Sequence, residues 1–158
     1  MIYFSWIRAV HDVFPPGAHR SRTLNVPRLA HVRWMSPTLA AFPPGPEIQP
    51  EDVEAVSAYL ASRHEDFLVL GDASYLYAVT DVAPPQPLLY FQLHHFYAES
   101  DTPRIDQWVL SNLRRRDIRV IVREKVCWSN FPLPATEQWI AGDFHPGPVF
   151  GNFEILLR

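Results

Sequence analysis

The sequence predicts an α/β fold, namely an open, mostly parallel, Rossmann-like sheet flanked by helices, with a C-terminal antiparallel hairpin. Short apolar runs typical of buried strands alternate with amphipathic helical patterns, and this alternation indicates a layered α/β domain. Proline clusters, including residues 43–44 and 84–87, fall between these patterns and predict stiff connections. Near the end, Gly151-Asn152 precedes an apolar run at residues 153–157, which predicts the turn and last strand of the hairpin.

Length and composition are those of one globular domain. The chain has 158 residues, of which 47% are hydrophobic and 20% charged, so it can bury a core and is not disordered. We predict an aromatic, juxtamembrane-like segment over residues 1–26 and a single α/β domain over residues 27–158. The first segment either docks on the domain or lies at a membrane interface, where Trp and Tyr are favoured. The formal net charge of −3 argues against nucleic acid as a partner.

Four elements are predicted in the first half of the chain. Residues 29–34 alternate in polarity and predict a strand. A proline and two acidic residues open a helical pattern over residues 50–63. The continuous apolar run at residues 67–70 predicts a buried strand of the kind that parallel sheets use. A short helix that includes Leu76 and Val79 follows it.

The second half continues the alternation. Residues 88–92 predict a second strand of the sheet, and residues 103–116 predict an amphipathic helix whose last turn is rich in arginine. Residues 118–123 predict a third strand. The stretch between that strand and the hairpin, which contains Trp128 and Trp139, is predicted to be a loop.

Asp72 and Ser74 are the first candidate ligand-binding residues. Both follow the predicted strand 67–70, and open α/β sheets bind ligands beyond the carboxyl ends of their strands. Gly71 permits a tight turn at this point, and the next helix begins with N–H groups that can bind an anion. The alternative is that Asp72 or Ser74 caps that helix.

His95 and Glu124 follow the next two predicted strands, so the predicted fold brings them to the same edge as Asp72. Asp72 and Glu124 would then supply paired carboxylates for acid–base chemistry. The alternative for Glu124 is a helix cap or a salt bridge with Arg123 or Lys125. The alternative for His95 is a solvated or locally hydrogen-bonded imidazole.

No catalytic residue, metal ligand or cofactor is predicted. The sequence has no phosphate-binding glycine loop, no zinc-binding His/Cys pattern and no serine nucleophile elbow. Cys127, the single cysteine, lies in no motif that would supply a base. The arginine run at residues 114–116 either binds phosphate or anionic lipid head groups or forms a solvated helix end.

Four segments carry a resemblance to a known family. Residues 67–81 contain a strand that ends in Gly-Asp, followed by Ser and Tyr, and residues 84–87 form a Pro-rich link. A strand at residues 118–123 and an aromatic-Gly-x-aromatic hairpin with an Ile-Leu-x-Arg ending at residues 150–158 complete the order. Over roughly residues 27–158 the chain resembles the extracytoplasmic C-terminal domain of GT-C type membrane glycosyltransferases, mannosyltransferase-like enzymes that use lipid-linked sugars.

The resemblance implies a non-catalytic accessory domain that packs over a membrane part and helps to shape the acceptor side. Its partners would be the membrane domain of the same or another protein, and a lipid-linked sugar or acceptor. In such enzymes the catalytic acid lies in the membrane part, so the resemblance assigns no catalytic residue here. The domain would lie on the extracytoplasmic face as part of a larger protein, whereas a free-standing chain would be cytoplasmic.

Two alternative functions stay open at this point. The first is a small soluble α/β binding protein or enzyme with a sugar or nucleotide site at the carboxyl ends of the strands, near Asp72, Ser74, His95 and Glu124. The second is a structural interaction module with an exposed aromatic patch that includes Trp6.

Overall fold

The computed structural model describes residues 21–23, 25–26, 33–35, 48–85, 98–125, 127 and 132–158. The elements, in chain order, are β1 (Ser21–Thr23), β2 (Arg33–Met35), α1 (Pro50–Arg63), β3 (Phe67–Leu70), α2 (Tyr75–Thr80), a 3₁₀ turn (Glu99–Asp101), α3 (Thr102–Arg115), β4 (Val120–Glu124), α4 (Pro134–Asp143), β5 (His145–Phe150) and β6 (Phe153–Leu157). Strands β1 and β2 pair antiparallel with each other. The other four strands form the main sheet.

The main sheet has the order β3-β4-β6-β5 and is mixed. Only β3 and β4 are parallel, whereas β6 pairs antiparallel with both β4 and β5. The prediction of an α/β fold is confirmed, but the prediction of a mostly parallel, Rossmann-like sheet is wrong. The physical reason is the position of the hairpin formed by β5 and β6. Its second strand, β6, pairs directly with β4, so the hairpin supplies two of the four strands of the main sheet and is not a peripheral addition.

Both faces of the sheet are covered, and side chains alternate between them. Phe67 and Val69 of β3 point into a core shared with α1 and α2. Leu68, between them, joins a second core formed with α3 and α4. This two-sided burial explains why β3 is a continuous apolar run, since neither of its faces meets water. All three residues are at most 4% exposed.

Several local predictions are confirmed. Helix α1 spans residues 50–63 and β3 spans residues 67–70, as the sequence predicts. Helix α3 lies within one residue of its predicted bounds, and β5 and β6 flank a turn at Gly151-Asn152. The predicted strand at residues 88–92 lies outside the described residues, as do most of residues 29–34.

The predicted loop around Trp139 is wrong, because that residue lies in helix α4. The start of α4 is capped from another helix. The Asp106 carboxylate in α3 accepts hydrogen bonds from the N–H of Ala135 at 2.7 Å, the N–H of Thr136 at 3.0 Å and the Thr136 hydroxyl at 2.7 Å. Buried Asp106 thereby binds N–H groups that a helix start leaves without an intrahelical partner.

Strand β5 is the outermost strand on one side of the main sheet as described. It contains Pro146 and Pro148, and its register against β6 shifts between Pro146 and Val149. Val149 is 52% exposed. Prolines and register shifts are typical of sheet edges, since proline cannot donate to a neighbouring strand.

Candidate functional site

Gly71 sets the geometry at the carboxyl ends of the parallel strands β3 and β4. Its φ of +145° is a conformation that side-chain-bearing residues rarely adopt. A Cβ atom added here would lie 2.8 Å from the Glu124 Cβ and 2.9 Å from its Cδ. The glycine is therefore required both for the backbone turn after β3 and for the close approach of Glu124.

Glu124, the last residue of β4, occupies the turn after β3. Its side chain is buried, and its Oε2 accepts a hydrogen bond from the N–H of Asp72 at 2.6 Å. The N–H of Ala73 donates to the same carboxylate. The predicted salt-bridge partners are engaged elsewhere: Arg123 contacts Glu137 at 2.7 Å, and Lys125 donates to the carbonyl oxygen of Gly151 at 2.8 Å.

The environment of Glu124 changes its acidity. Burial raises the pKa of Glu124, the neighbouring charge of Asp72 adds to the rise, and the resulting pKa is about 7 instead of the ordinary 4.5. The hydrogen bonds from the N–H groups of Asp72 and Ala73 act in the opposite direction without cancelling the effect of burial. Glu124 consequently changes its charge near neutral pH, which is a property of proton-exchanging groups as well as of buried structural carboxyls.

Asp72, Glu124 and Cys127 meet at this edge. Each offers one ligand atom, and the three atoms lie within 4.8 Å of one another. Thiolate sulfur and carboxylate oxygen are both ligands for Zn²⁺, so these are the described residues that could hold a cation together. The sequence predicts Asp72 and Glu124 at this edge but no role for Cys127, because a residue three positions beyond a strand carries no motif.

The other predicted site residues are less closely tied to this cluster. Ser74 precedes α2, its side chain makes no capping hydrogen bond, and its N–H donates to the carbonyl oxygen of Asp72 at 2.8 Å. His95 lies outside the described residues. Burial raises the pKa of Tyr75, and the nearby charge of Glu124 adds to the rise. The Tyr75 phenol is therefore neutral at physiological pH and cannot act as a general base there.

Tyr77 contributes to the support of the site rather than to its surface. Its hydroxyl accepts a hydrogen bond from the N–H of Val69 at 2.8 Å, and its ring stacks on Phe67 with centroids 5.0 Å apart. These contacts fix α2 against β3. The turn that carries Asp72 thus lies between a strand and a helix that contact each other directly.

A surface pocket of about 240 Å³ lies at the opposite, amino end of β3 and β4. The residues that line it all bear charge: Glu65, Asp66, Arg116, Asp117 and Arg119. Asp117 is paired with Arg119 at 2.7 Å and also contacts Arg158. The pocket is lined by charges of both signs, so it lacks the excess of one sign that would select a charged ligand.

Comparisons with known proteins found no matching family model, no matching curated protein and no matching solved structure. Among the described residues, no helix combines the length and the apolar character that crossing a membrane requires.

Proposed function

We propose that this chain is a non-catalytic accessory domain of a membrane glycosyltransferase, which packs over the membrane part and helps to shape the acceptor side. One observation carries the proposal: the residues on which the family resemblance rests serve the packing of the domain. The proposal places the domain on the extracytoplasmic face, with the membrane part as its partner.

The Gly-Asp motif illustrates this structural use. Gly71 leaves room for the buried Glu124 side chain because it has no Cβ atom, and the N–H of Asp72 donates a hydrogen bond to the Glu124 carboxylate. These contacts join the ends of β3 and β4. The motif thus builds the turn itself, and a ligand is not needed to explain its presence.

The hairpin motif is used in the same way. Gly151 has a φ of +55°, and a Cβ atom added to it would collide with the Asp52 carboxylate of α1. Phe150 packs on the ring of Tyr59 with centroids 5.6 Å apart, and Phe153 is fully buried. Glycine allows the turn to contact α1, while the flanking aromatic residues anchor the hairpin in the core. This structural use of the hairpin motif supports the proposal.

Fractionation of native cells tests the proposal. An antibody raised against the domain should detect a band far larger than 18.2 kDa that resists alkaline washing of membranes and is released by detergent. A peripheral protein released by the alkaline wash serves as the control. A band of 18.2 kDa that stays in the soluble fraction, or glycosyl transfer by the purified chain alone, would contradict the proposal.

A second candidate function is binding of a sugar at the carboxyl ends of β3 and β4. The convergence of Asp72, Glu124 and Cys127 within 4.8 Å favours it. A sugar suits this edge better than a nucleotide, because carboxylates accept hydrogen bonds from hydroxyl groups but repel phosphate. Glu124 also occupies N–H groups of the turn that a phosphate would use.

Thermal unfolding in millimolar monosaccharides distinguishes this candidate, since a ligand that binds only the folded state raises the melting temperature. Asp72→Asn should abolish the rise, whereas Asp66→Asn at the opposite end of the same strand should leave it unchanged. An equal rise for both variants would exclude this edge as the site.

A further inference from the structure

The exposed face of α3 combines arginine with tryptophan. Arg104, Trp108 and Arg115 are spaced by four and seven residues, so they follow one another along a single side of the helix. Trp108 is 41% exposed, and the Arg104 side chain is 81% exposed. The other exposed residues of α3 are Pro103, Gln107, Ser111 and Arg114.

No residue of α3 itself places a carboxylate on this face. Asp106, the single acidic residue of α3, is buried and caps α4. Asp101, just before the helix, pairs with Arg104 at 2.9 Å and lowers the net charge at that end only. At the other end, Asp117 is paired with Arg119 and Arg158, which leaves the excess positive charge near Arg115 intact.

We propose that this face of α3 docks on an anionic membrane surface. Tryptophan is favoured at the depth of lipid head groups, and arginine is attracted to anionic lipids. The chain as a whole is acidic, with a formal net charge of −3, so the attraction would act through this face and orient the domain.

The inference goes beyond the proposed accessory role, because contact with lipid needs no glycosyltransferase partner. The two can fail separately. A domain that fractionates as part of a large membrane protein but does not bind lipid would overturn only the inference. A domain that binds lipid but occurs as a soluble 18.2 kDa chain would overturn only the accessory role.

Sedimentation with vesicles tests the inference on the full chain. Vesicles of phosphatidylcholine with phosphatidylglycerol are compared with vesicles of phosphatidylcholine alone. The wild type should bind the anionic vesicles and lose binding as salt is raised. Each arginine near the surface contributes roughly fivefold to partitioning, so Arg104→Gln with Arg115→Gln should weaken binding about tenfold or more.

Matched variants keep the result interpretable. Arg63→Gln with Arg123→Gln removes the same charge from other faces and should leave binding nearly unchanged, and Arg104→Lys with Arg115→Lys should retain most of it. Trp108→Ala should weaken binding to the anionic vesicles, and circular dichroism checks that each variant is folded. Equal losses in both glutamine pairs, or equal binding to the two kinds of vesicle, would overturn the inference. So would binding of a single-stranded RNA oligonucleotide, but not of vesicles, through the same arginines.

Discussion

The two ends of the parallel strands β3 and β4 shift the pKa of a carboxyl group in opposite directions. At the carboxyl end, Glu124 is buried against a turn, and burial raises its pKa to about 7. At the amino end, hydrogen bonding to Arg119 lowers the pKa of Asp117, and the charge of Arg158 lowers it further. The distance between the two ends is only the length of a short strand. The environment of each side chain, not its chemistry, therefore decides where it titrates.

The two ends thus differ in the kind of carboxylate they contain: a buried one bound to the backbone at one end, and solvent-exposed ones at the other. At the carboxyl end, the Glu124 carboxylate binds N–H groups of the turn at Asp72, whereas the amino end balances acids against arginines at the surface. Changes at the carboxyl end should therefore affect folding strongly, and changes at the amino end should affect it weakly.

The largest effect is expected at Gly71. Replacing Gly71 with alanine places a Cβ atom against the buried Glu124 side chain and forces an unfavourable φ. We expect a loss of about 4 kcal/mol in the free energy of unfolding. Gly142→Ala is the matched control: a Cβ atom there meets nothing within 4 Å, and alanine should stabilise α4 by about 0.5 to 1 kcal/mol. Urea unfolding measures both, and similar losses in the two variants would show that the Glu124 contact is not responsible.

The second effect concerns the pH dependence of stability. Because the folded pKa of Glu124 is about 7 and its ordinary pKa is 4.5, the folded state binds the proton more tightly. The corresponding stability is fully present below pH 4.5 and is lost as the pH rises through 7, a change of about 3 kcal/mol. Glu124→Gln should remove this slope from urea unfolding measured across the range. A slope unchanged in the variant would assign the effect to another group, and Glu137→Gln, at an exposed ion pair, should leave it unchanged.

A smaller loss is expected for Asp106→Ala. The variant leaves the N–H groups of Ala135 and Thr136 without their carboxylate acceptor, and it should cost about 2 kcal/mol. Hydrogen exchange should show the loss of protection first in α4. Uniform loss across α3 and α4 would mean that Asp106 supports the whole layer rather than the start of α4.

The smallest effect is expected at the amino end. Asp117→Asn removes contacts with Arg119 and Arg158 that are open to solvent and screened by salt. Thermal unfolding at physiological salt should therefore show almost no change, with a slight loss only at low salt. A clear loss of thermal stability at both salt concentrations would mean that the ion pairs of the amino end also contribute to folding, contrary to the expected difference between the two ends.

The sequence predicted elements better than it predicted their arrangement. Helix α1 and strand β3 are confirmed because their patterns are local: a proline with acidic residues at the helix start, and an apolar run covered on both faces. The prediction of mostly parallel strands was wrong because the place of β6 beside β4 depends on pairing between distant segments. Helix α4 was missed because its cap, Asp106, lies about thirty residues earlier.

The candidate site was predicted in part for the same reason. Asp72 and Glu124 each follow a predicted strand, and parallel strands bring their carboxyl ends together, so the meeting of the two residues could be predicted. The burial of Glu124 could not be predicted, since it depends on the missing side chain of Gly71. Cys127 joins them through the path of the chain beyond β4, which no local pattern specifies.

The prolines of β5 have a consequence for behaviour at high concentration. An outer strand with free amide groups can recruit a strand from another molecule and start aggregation. Pro146 and Pro148 have no amide hydrogen to offer, and the shifted register interrupts the regular ladder of β5 with β6. Many copies crowded together would then remain separate rather than join their sheets.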